Sequence, residues 1–302
     1  MRARLLVLAS LVSLPLTAHA DAGKAWTTAK AALPADTAAI VSANVSAMTK
    51  SPLFAAVLPV LLKKKPDLAS ALDDMKRVCK LDMLSVVQGV VFALDADNGK
   101  GAIYASVTGV DQPKVAACLQ AIAKDKKGPD VTFTKTGNVI EAVADKQKIY
   151  YGWAASDVIV VALDVHDRAE LDKWMGGKGA ISKGLVGPVL AKAATGATIW
   201  GASGVEKAAD PMLPMKLGYA SVKLAGGNVA LEFHAGMKTK KDATDGAAKA
   251  NQGVTELKPN LPDGIKDLLN KLTISAVNDE VVMKFSASEK DLLVLTPILG
   301  ML

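Results

Sequence analysis

The chain has 302 residues and half of them are hydrophobic, which is enough to fill the core of one large domain or two smaller ones. Its net charge is +6, from 36 basic and 30 acidic residues, and only 4% of the residues are aromatic. A modest charge spread along the chain and few aromatic side chains argue against a nucleic-acid-binding protein, which needs a concentrated basic face and stacking platforms.

Residues 1–20 have the three parts of a signal peptide: two arginines, an apolar stretch and a small-x-small site at Ala18-His19-Ala20. The apolar stretch is shorter than the roughly 20 residues that cross a bilayer, although an uncleaved anchor is an alternative. We expect cleavage between Ala20 and Asp21, after which 34 basic residues face 30 acidic ones and the net charge is +4. The mature protein would be periplasmic or secreted, with no transmembrane helix.

The first part of the mature chain has the pattern of a strand and two helices. The strand spans Ala38 to Val45, and the first helix starts near Met48. The second helix starts at Pro66-Asp67, where proline suits the first turn. Its apolar stripe repeats at helical spacing and consists of Leu68, Leu72, Met75 and Cys79.

A hairpin and a third helix are predicted next. The hairpin covers residues 85–107 and turns at Asn98-Gly99, a pair that suits the positive φ values of a tight turn. The helix covers residues 111–124 and starts close to Pro113. Its apolar face carries Val115, Cys118 and Ile122.

Short strands dominate the middle of the chain. Residues 130–163 alternate in short segments separated by turn signals, which predicts three or four antiparallel strands. A short helix over residues 165–175 then ends at Gly176-Gly177.

The C-terminal part repeats this organisation. A strand over residues 197–203 precedes a hairpin that turns at Gly226-Gly227, and a long helix runs from Lys240 to about Leu257. A short helix over residues 262–272, a last hairpin and a terminal helix capped by Ser288 complete the chain. One face of each hairpin is apolar, formed by Val229, Leu231, Phe233 and Ala235 in the first and by Val281, Met283, Phe285 and Ala287 in the second.

The order hairpin–helix–hairpin therefore occurs twice, over residues 86–163 and 197–287. Hairpins with one polar face favour antiparallel sheets with helices packed on one side, so the predicted class is α+β. We predict an N-terminal subdomain over residues 21–175, a linker or seam over 176–196, and a C-terminal subdomain over 197–302.

No set of catalytic, cofactor-binding or metal-ligating residues emerges from the sequence. The mature chain has two histidines, His166 and His234, and both are predicted to lie on the surface. Two separated cysteines cannot form a structural zinc site without distant ligands. Asp95 and Asp97 have the spacing that opens a calcium loop, but the later ligand positions do not match and a hairpin turn explains them better.

The segment LPADTAAIVSANVSAMTKSPLF resembles the opening of a group of secreted α+β bacterial proteins in which LPADT precedes a strand and a helix. A cysteine before an xLDxL motif and another in an AACL-type helix are also similar to members from predatory soil delta-proteobacteria. The resemblance covers about the first 120 residues. It implies an envelope protein with no assigned activity.

These observations favour a non-catalytic exported envelope protein that binds a protein partner or an apolar ligand on the sheet face that helices leave uncovered. An enzyme of unrecognised type is an alternative that needs a polar pocket built from scattered Asp, Lys and Ser side chains. A chaperone-like or structural protein is a third hypothesis.

The two cysteines are best explained by export. Two cysteines on one mature chain usually pair in an oxidising compartment, and both lie on apolar helix faces. We predict a disulfide bond between Cys79 and Cys118, with two free buried thiols as the alternative.

Overall fold

The computed structural model describes residues 22–96, 99–193, 197–204 and 217–295. The predicted signal peptide, its cleavage site at Ala20 and Asp21, and Asp97 and Asn98 lie outside the described residues, as do residues 296–302. Gly99 is described and has a φ of 63°, the left-handed conformation that the turn prediction requires.

Twelve antiparallel strands in the described residues form one continuous sheet. Its strand order is β11-β12-β10-β9-β8-β1-β2-β3-β7-β6-β5-β4. The strands are β1 (Thr37–Ala43), β2 (Val87–Asp95), β3 (Gly101–Val107), β4 (Thr132–Thr136), β5 (Val139–Ala144), β6 (Gln147–Ala155), β7 (Val158–Ala162), β8 (Ile199–Gly204), β9 (Leu217–Ala225), β10 (Asn228–Gly236), β11 (Leu272–Val277) and β12 (Glu280–Ser288).

The described helices lie before, between and after these strands. They are α1 (Ala22–Ala32), α2 (Val45–Met48), α3 (Pro52–Lys64), α4 (Pro66–Arg77), α5 (Met83–Val86), α6 (Gln112–Asp125), α7 (Arg168–Gly176), α8 (Gly187–Ala193), α9 (Lys240–Leu257), α10 (Asp263–Leu269) and α11 (Glu289–Leu292). The predicted α+β class and the antiparallel sheet are confirmed. No helix of the described residues is both long and apolar enough to cross a membrane.

Several of these helices have an N-cap residue whose side-chain oxygen accepts a backbone N–H group of the first turn. Asp111 caps α6, Asp167 caps α7 and Thr239 caps α9. Ser288 accepts the N–H of Asp291, which confirms the predicted cap of the terminal helix.

The prediction that helices pack on one side of the sheet is wrong, because helices cover parts of both faces. We call the face that carries Tyr104, Val160 and Trp200 the front face. It packs against α1, α7 and α8 in the main core. The opposite back face packs against α9 through residues such as Phe233 and Val281, and against α6 at the other end of the sheet.

Helix α1 was not predicted, although it supplies much of the front-face core. Ala25 and Ala29 of this helix, and Leu33 immediately after it, are fully buried against the central strands. Small alanine side chains let the helix backbone approach the sheet closely, at a density typical of protein cores.

The sheet continues across the boundary between the two predicted subdomains. β8 pairs with β1 from Ala39↔Ser203 to Ala43↔Ile199. The segment predicted as a linker contains α8 and a 3-10 turn over Ala180–Lys183, and its side chains Ile181, Val186 and Leu190 are buried in the main core. The division into two subdomains stays a prediction.

A buried carboxylate connects the C-terminal part of the chain to the start of α3. Glu289 accepts hydrogen bonds from the Ser51 hydroxyl at 2.6 Å and from the Leu53 N–H at 2.9 Å. The N–H of Glu289 donates to the carbonyl of Gly227. Because the first N–H groups of a helix have no partner within it, Glu289 satisfies one of them and also suits the positive end of the helix dipole.

Candidate binding site

The front face of the sheet is open where the covering helices end. α8 packs over β8 and β9, and none of the described helices covers the front face of β10, β11 and β12. A cleft of about 650 Å³ lies there, lined by residues of β9, β10, β11 and β12 and bordered by Lys192 of α8. We call this region the cleft; its principal residues are Tyr219, Lys223, Ala230, His234, Lys271 and Lys284.

Strand register places small side chains on the floor of the cleft and lysines at its sides. Ala230 of β10 lies opposite Lys223 of β9 on one side and Ser286 of β12 on the other. Lys271, immediately before β11, continues this row because Leu272 pairs with Phe285. With strands about 4.8 Å apart, three strand steps separate the backbones of Lys223 and Lys271 by about 14 Å.

A chain of charged contacts crosses the cleft next to this floor. The ring of His234 contacts Glu280 through Nδ1 at 2.8 Å and Glu232 through Nε2 at 2.9 Å. Lys192 pairs with Glu280 and Lys284 pairs with Glu232, each at 2.8 Å. We call these five residues the His234 network.

The position of His234 differs from the surface position predicted for it. Its side chain is only 13% exposed, because Tyr219 stacks on the ring with centroids 4.2 Å apart. Lys192 in turn lies over the Tyr219 ring, 5.9 Å from its centroid. His166 is exposed, as predicted.

Hydrogen bonds hold both glutamates of the His234 network in the ionised form. Lys284 and His234 lower the pKa of Glu232. Burial raises the pKa of Glu280, but hydrogen bonds from Lys192 and His234 outweigh burial, so the pKa lies below its usual value. An ionised carboxylate only accepts hydrogen bonds, so both glutamates can act only as acceptors towards the ring of His234.

The contacts of His234 restrict the chemistry that its ring can perform. The two glutamates bond to different nitrogens of His234, so they lie at opposite edges of the ring and cannot share one metal ion with it. Among the described residues, no group of three His, Cys, Asp or Glu side chains is arranged to hold a metal ion. General-base catalysis needs a ring nitrogen within reach of the reacting proton, and carboxylates occupy both nitrogens here.

A smaller pocket adjoins the cleft beyond Tyr219 and Lys192. It has a volume of about 300 Å³. Its lining combines the apolar side chains Pro188, Val189, Leu217 and Met237 with the carboxylates of Asp279 and Glu280. Tyr219 and Lys192 line both cavities, so a molecule bound in the cleft can also reach this pocket.

The predicted disulfide is present, between Cys79 just after α4 and Cys118 within α6. The Cα atoms are 4.9 Å apart, within the usual range for a disulfide. Ion pairs from Arg77 to Asp125 and from Lys126 to Asp74 join the same two helices. The disulfide lies outside the cleft, where it links the end of α4 to α6.

Sequence reasoning did not single out the residues of the cleft. The alternation in β10 and β12 did place one apolar face on each strand, and Glu232 and Lys284 lie on the opposite face. The missing information was that β12 pairs with β10 as well as with β11, which brings Lys284 beside Glu232.

Comparison with known proteins gives a likeness of fold only. No protein-family model matches the sequence, and no curated protein is similar to it in sequence. The solved structure titled crystal form III of TP0453 is similar with a TM-score of 0.49 and 9% identity, covering 91% of this chain and 98% of that one. Crystal forms I and IV of TP0453 each give a TM-score of 0.47, with 11% and 10% identity, over 90% of this chain and 96% and 98% of theirs. No inference about function follows from similarity at this level.

Proposed function

We propose that this protein is an exported, non-catalytic binding protein and that the cleft is where it holds its partner. The observation that supports this most is a cleft open to solvent whose one histidine is fixed by carboxylates at both ring nitrogens. Such a network gives the cleft a rigid, charged wall but leaves no ring nitrogen to activate a nucleophile.

The lining of the cleft distinguishes between the two kinds of ligand that the sequence analysis left open, a protein partner and an apolar ligand. Small-molecule sites are usually concave and mostly apolar, and they bury most of the ligand. The cleft is open, and its lysines, hydroxyl groups, Glu232 and His234 are interspersed with apolar residues such as Leu231 and Phe285. A protein partner with polar groups therefore fits this cleft better than a purely apolar ligand.

Export is part of the same proposal. The sequence of residues 1–20 supports it, and the disulfide between Cys79 and Cys118 suits an oxidising compartment. N-terminal sequencing of the protein from the periplasm or culture medium tests this step. We expect the mature chain to begin at Asp21, and a chain retained in the cytoplasm with its first residues intact would contradict export.

Site-specific photo-crosslinking tests the binding site. A benzoyl-phenylalanine at Ser286, on the cleft floor, should form one reproducible adduct in intact producing cells. The matched control carries the same group at Lys249, which is exposed on α9 away from the cleft. We expect the Ser286 adduct to disappear when Ala230→Trp fills the floor.

Adducts of equal yield from both positions would show non-specific contact and contradict the proposal. So would the absence of any adduct at Ser286. The unfolding midpoint of each variant shows whether the substitution leaves the fold intact.

A further inference from the structure

We propose that the cleft recognises an extended acidic segment of a protein partner, whose carboxylates pair with Lys223, Lys271 and Lys284. This inference rests on the proposed binding function and adds the chemistry of the partner. The segment would cross the strands along the row of small residues Ala230 and Ser286.

The charges of the cleft are the first support. Four lysines and one glutamate line it. Lys223 is exposed, and its side chain has no hydrogen bond or ion pair with any of the residues that the structure describes. Lys271 and Lys284 pair with Asp291 and Glu232, but these pairs are exposed to solvent and such pairs contribute little to stability. An incoming carboxylate can therefore share either lysine without disrupting the fold.

The spacing of the lysines is the second support. The backbones of Lys223 and Lys271 are about 14 Å apart across the strands, with Lys284 in the adjacent row between them. An extended peptide rises about 3.4 Å per residue and presents alternate side chains to one face. Acidic residues at alternate positions of such a segment therefore match the span of the lysines.

The adjoining pocket is the third support, because it offers apolar side chains for an anchor, while its carboxylates Asp279 and Glu280 would repel an acidic residue there. It lies next to the cleft across Tyr219, which lines both cavities. An apolar residue at one end of the acidic segment can occupy the pocket beside Leu217 and Met237. Anchoring by an apolar side chain and orientation by charges is a usual division of roles in protein interfaces.

Fluorescence anisotropy with a labelled peptide tests the inference. The probe is a short peptide in which Glu and Thr alternate and one end carries Leu; its neutral counterpart has Gln in place of Glu. The cleft variant carries Lys223→Gln, Lys271→Gln and Lys284→Gln. The matched control carries Lys63→Gln, Lys135→Gln and Lys249→Gln, which are exposed lysines outside the cleft, so both variants have the same net charge.

We expect the acidic peptide to bind the wild-type protein and the control alike, and the cleft variant at least about tenfold more weakly, which is a loss of about 1.4 kcal/mol. Binding should also weaken as salt rises, because exposed charges are screened. Equal weakening in the two variants, or equal binding of the Gln peptide, would overturn the inference.

Small anions provide a further arm of the test. Inorganic phosphate and dodecanoate are added as competitors. If either displaces the peptide at a lower concentration than unlabelled peptide does, the cleft is a small-anion or fatty-acid site and the inference is wrong. We expect neither to do so.

Crosslinking separates failure of this inference from failure of the proposed function. If the Ser286 adduct forms and the cleft variant leaves its yield unchanged, the protein binds a partner in the cleft but not through acidic groups. If the adduct does not form, the binding function itself fails.

Discussion

Removing the disulfide should cost the protein a large part of its stability. Cys79 and Cys118 are 39 residues apart in the chain. In the chain-entropy description, a closed loop of this size stabilises the folded state by about 4 kcal/mol. At roughly 2–4 °C per kcal/mol for a large domain, the variant Cys79→Ala/Cys118→Ala should melt about 10 °C below the wild-type protein.

Calorimetry or circular dichroism measures this shift. Because the substitution also removes a contact between Cys118 and Met75, the wild-type protein treated with a reducing agent is the matched control, and it should show a similar shift. The Arg77→Ala variant removes the solvent-exposed ion pair with Asp125 that joins the same helices, together with a pair to Asp74 inside α4, so its shift should be much smaller. A double-cysteine variant that melts within about 2 °C of wild type, or two reactive thiols in the unfolded, unreduced protein, would refute the reasoning.

Three further predictions follow from buried or charged groups. Glu289→Ala leaves the start of α3 without its carboxylate and should lower the free energy of unfolding by about 1–3 kcal/mol, whereas Glu256→Ala on exposed α9 should have little effect; equal losses would contradict the capping role. The lowered pKa values of Glu232 and Glu280 mean that their stabilising effect is present above about pH 4.5 and is lost as pH falls through the lowered values. The double variant with Gln at both positions should therefore lose less stability than wild type on acidification, and an identical acid dependence would contradict this. Burial raises the pKa of Tyr151 to about 12 and every tyrosine has a raised pKa, so absorbance at 295 nm should show little tyrosinate in the folded protein at pH 10; half ionisation at that pH would contradict it.

Much of the fold could be predicted from periodicity, because hairpins and long helices have strong local patterns. The long helix α9 begins and ends where the sequence predicts, at Lys240 and Leu257. Helix α1 was missed because its buried stripe consists largely of alanines, which give a weaker hydrophobic pattern than large apolar side chains. Alanine is required there because the helix packs closely on the central strands.

The covering of both faces could not be predicted from local patterns. Amphipathic periodicity shows that a helix buries one stripe, but it does not show which face of a sheet receives that stripe. In the structure, the pairing of β1 with β8 fuses the two halves into one sheet, and this pairing joins residues far apart in sequence. The cleft depends on the same kind of pairing, since β12 lies between β10 and β11.

Lysine acetylation read by mass spectrometry tests the binding site most directly. The partner recovered through the Ser286 adduct, or the acidic peptide, is added to the mature protein before acetylation. We predict that Lys223 and Lys284 lose reactivity, while Lys135 and Lys249, which are exposed outside the cleft, react unchanged. Protection of the two outside lysines with full reactivity at Lys223 and Lys284 would place the partner elsewhere and contradict the account.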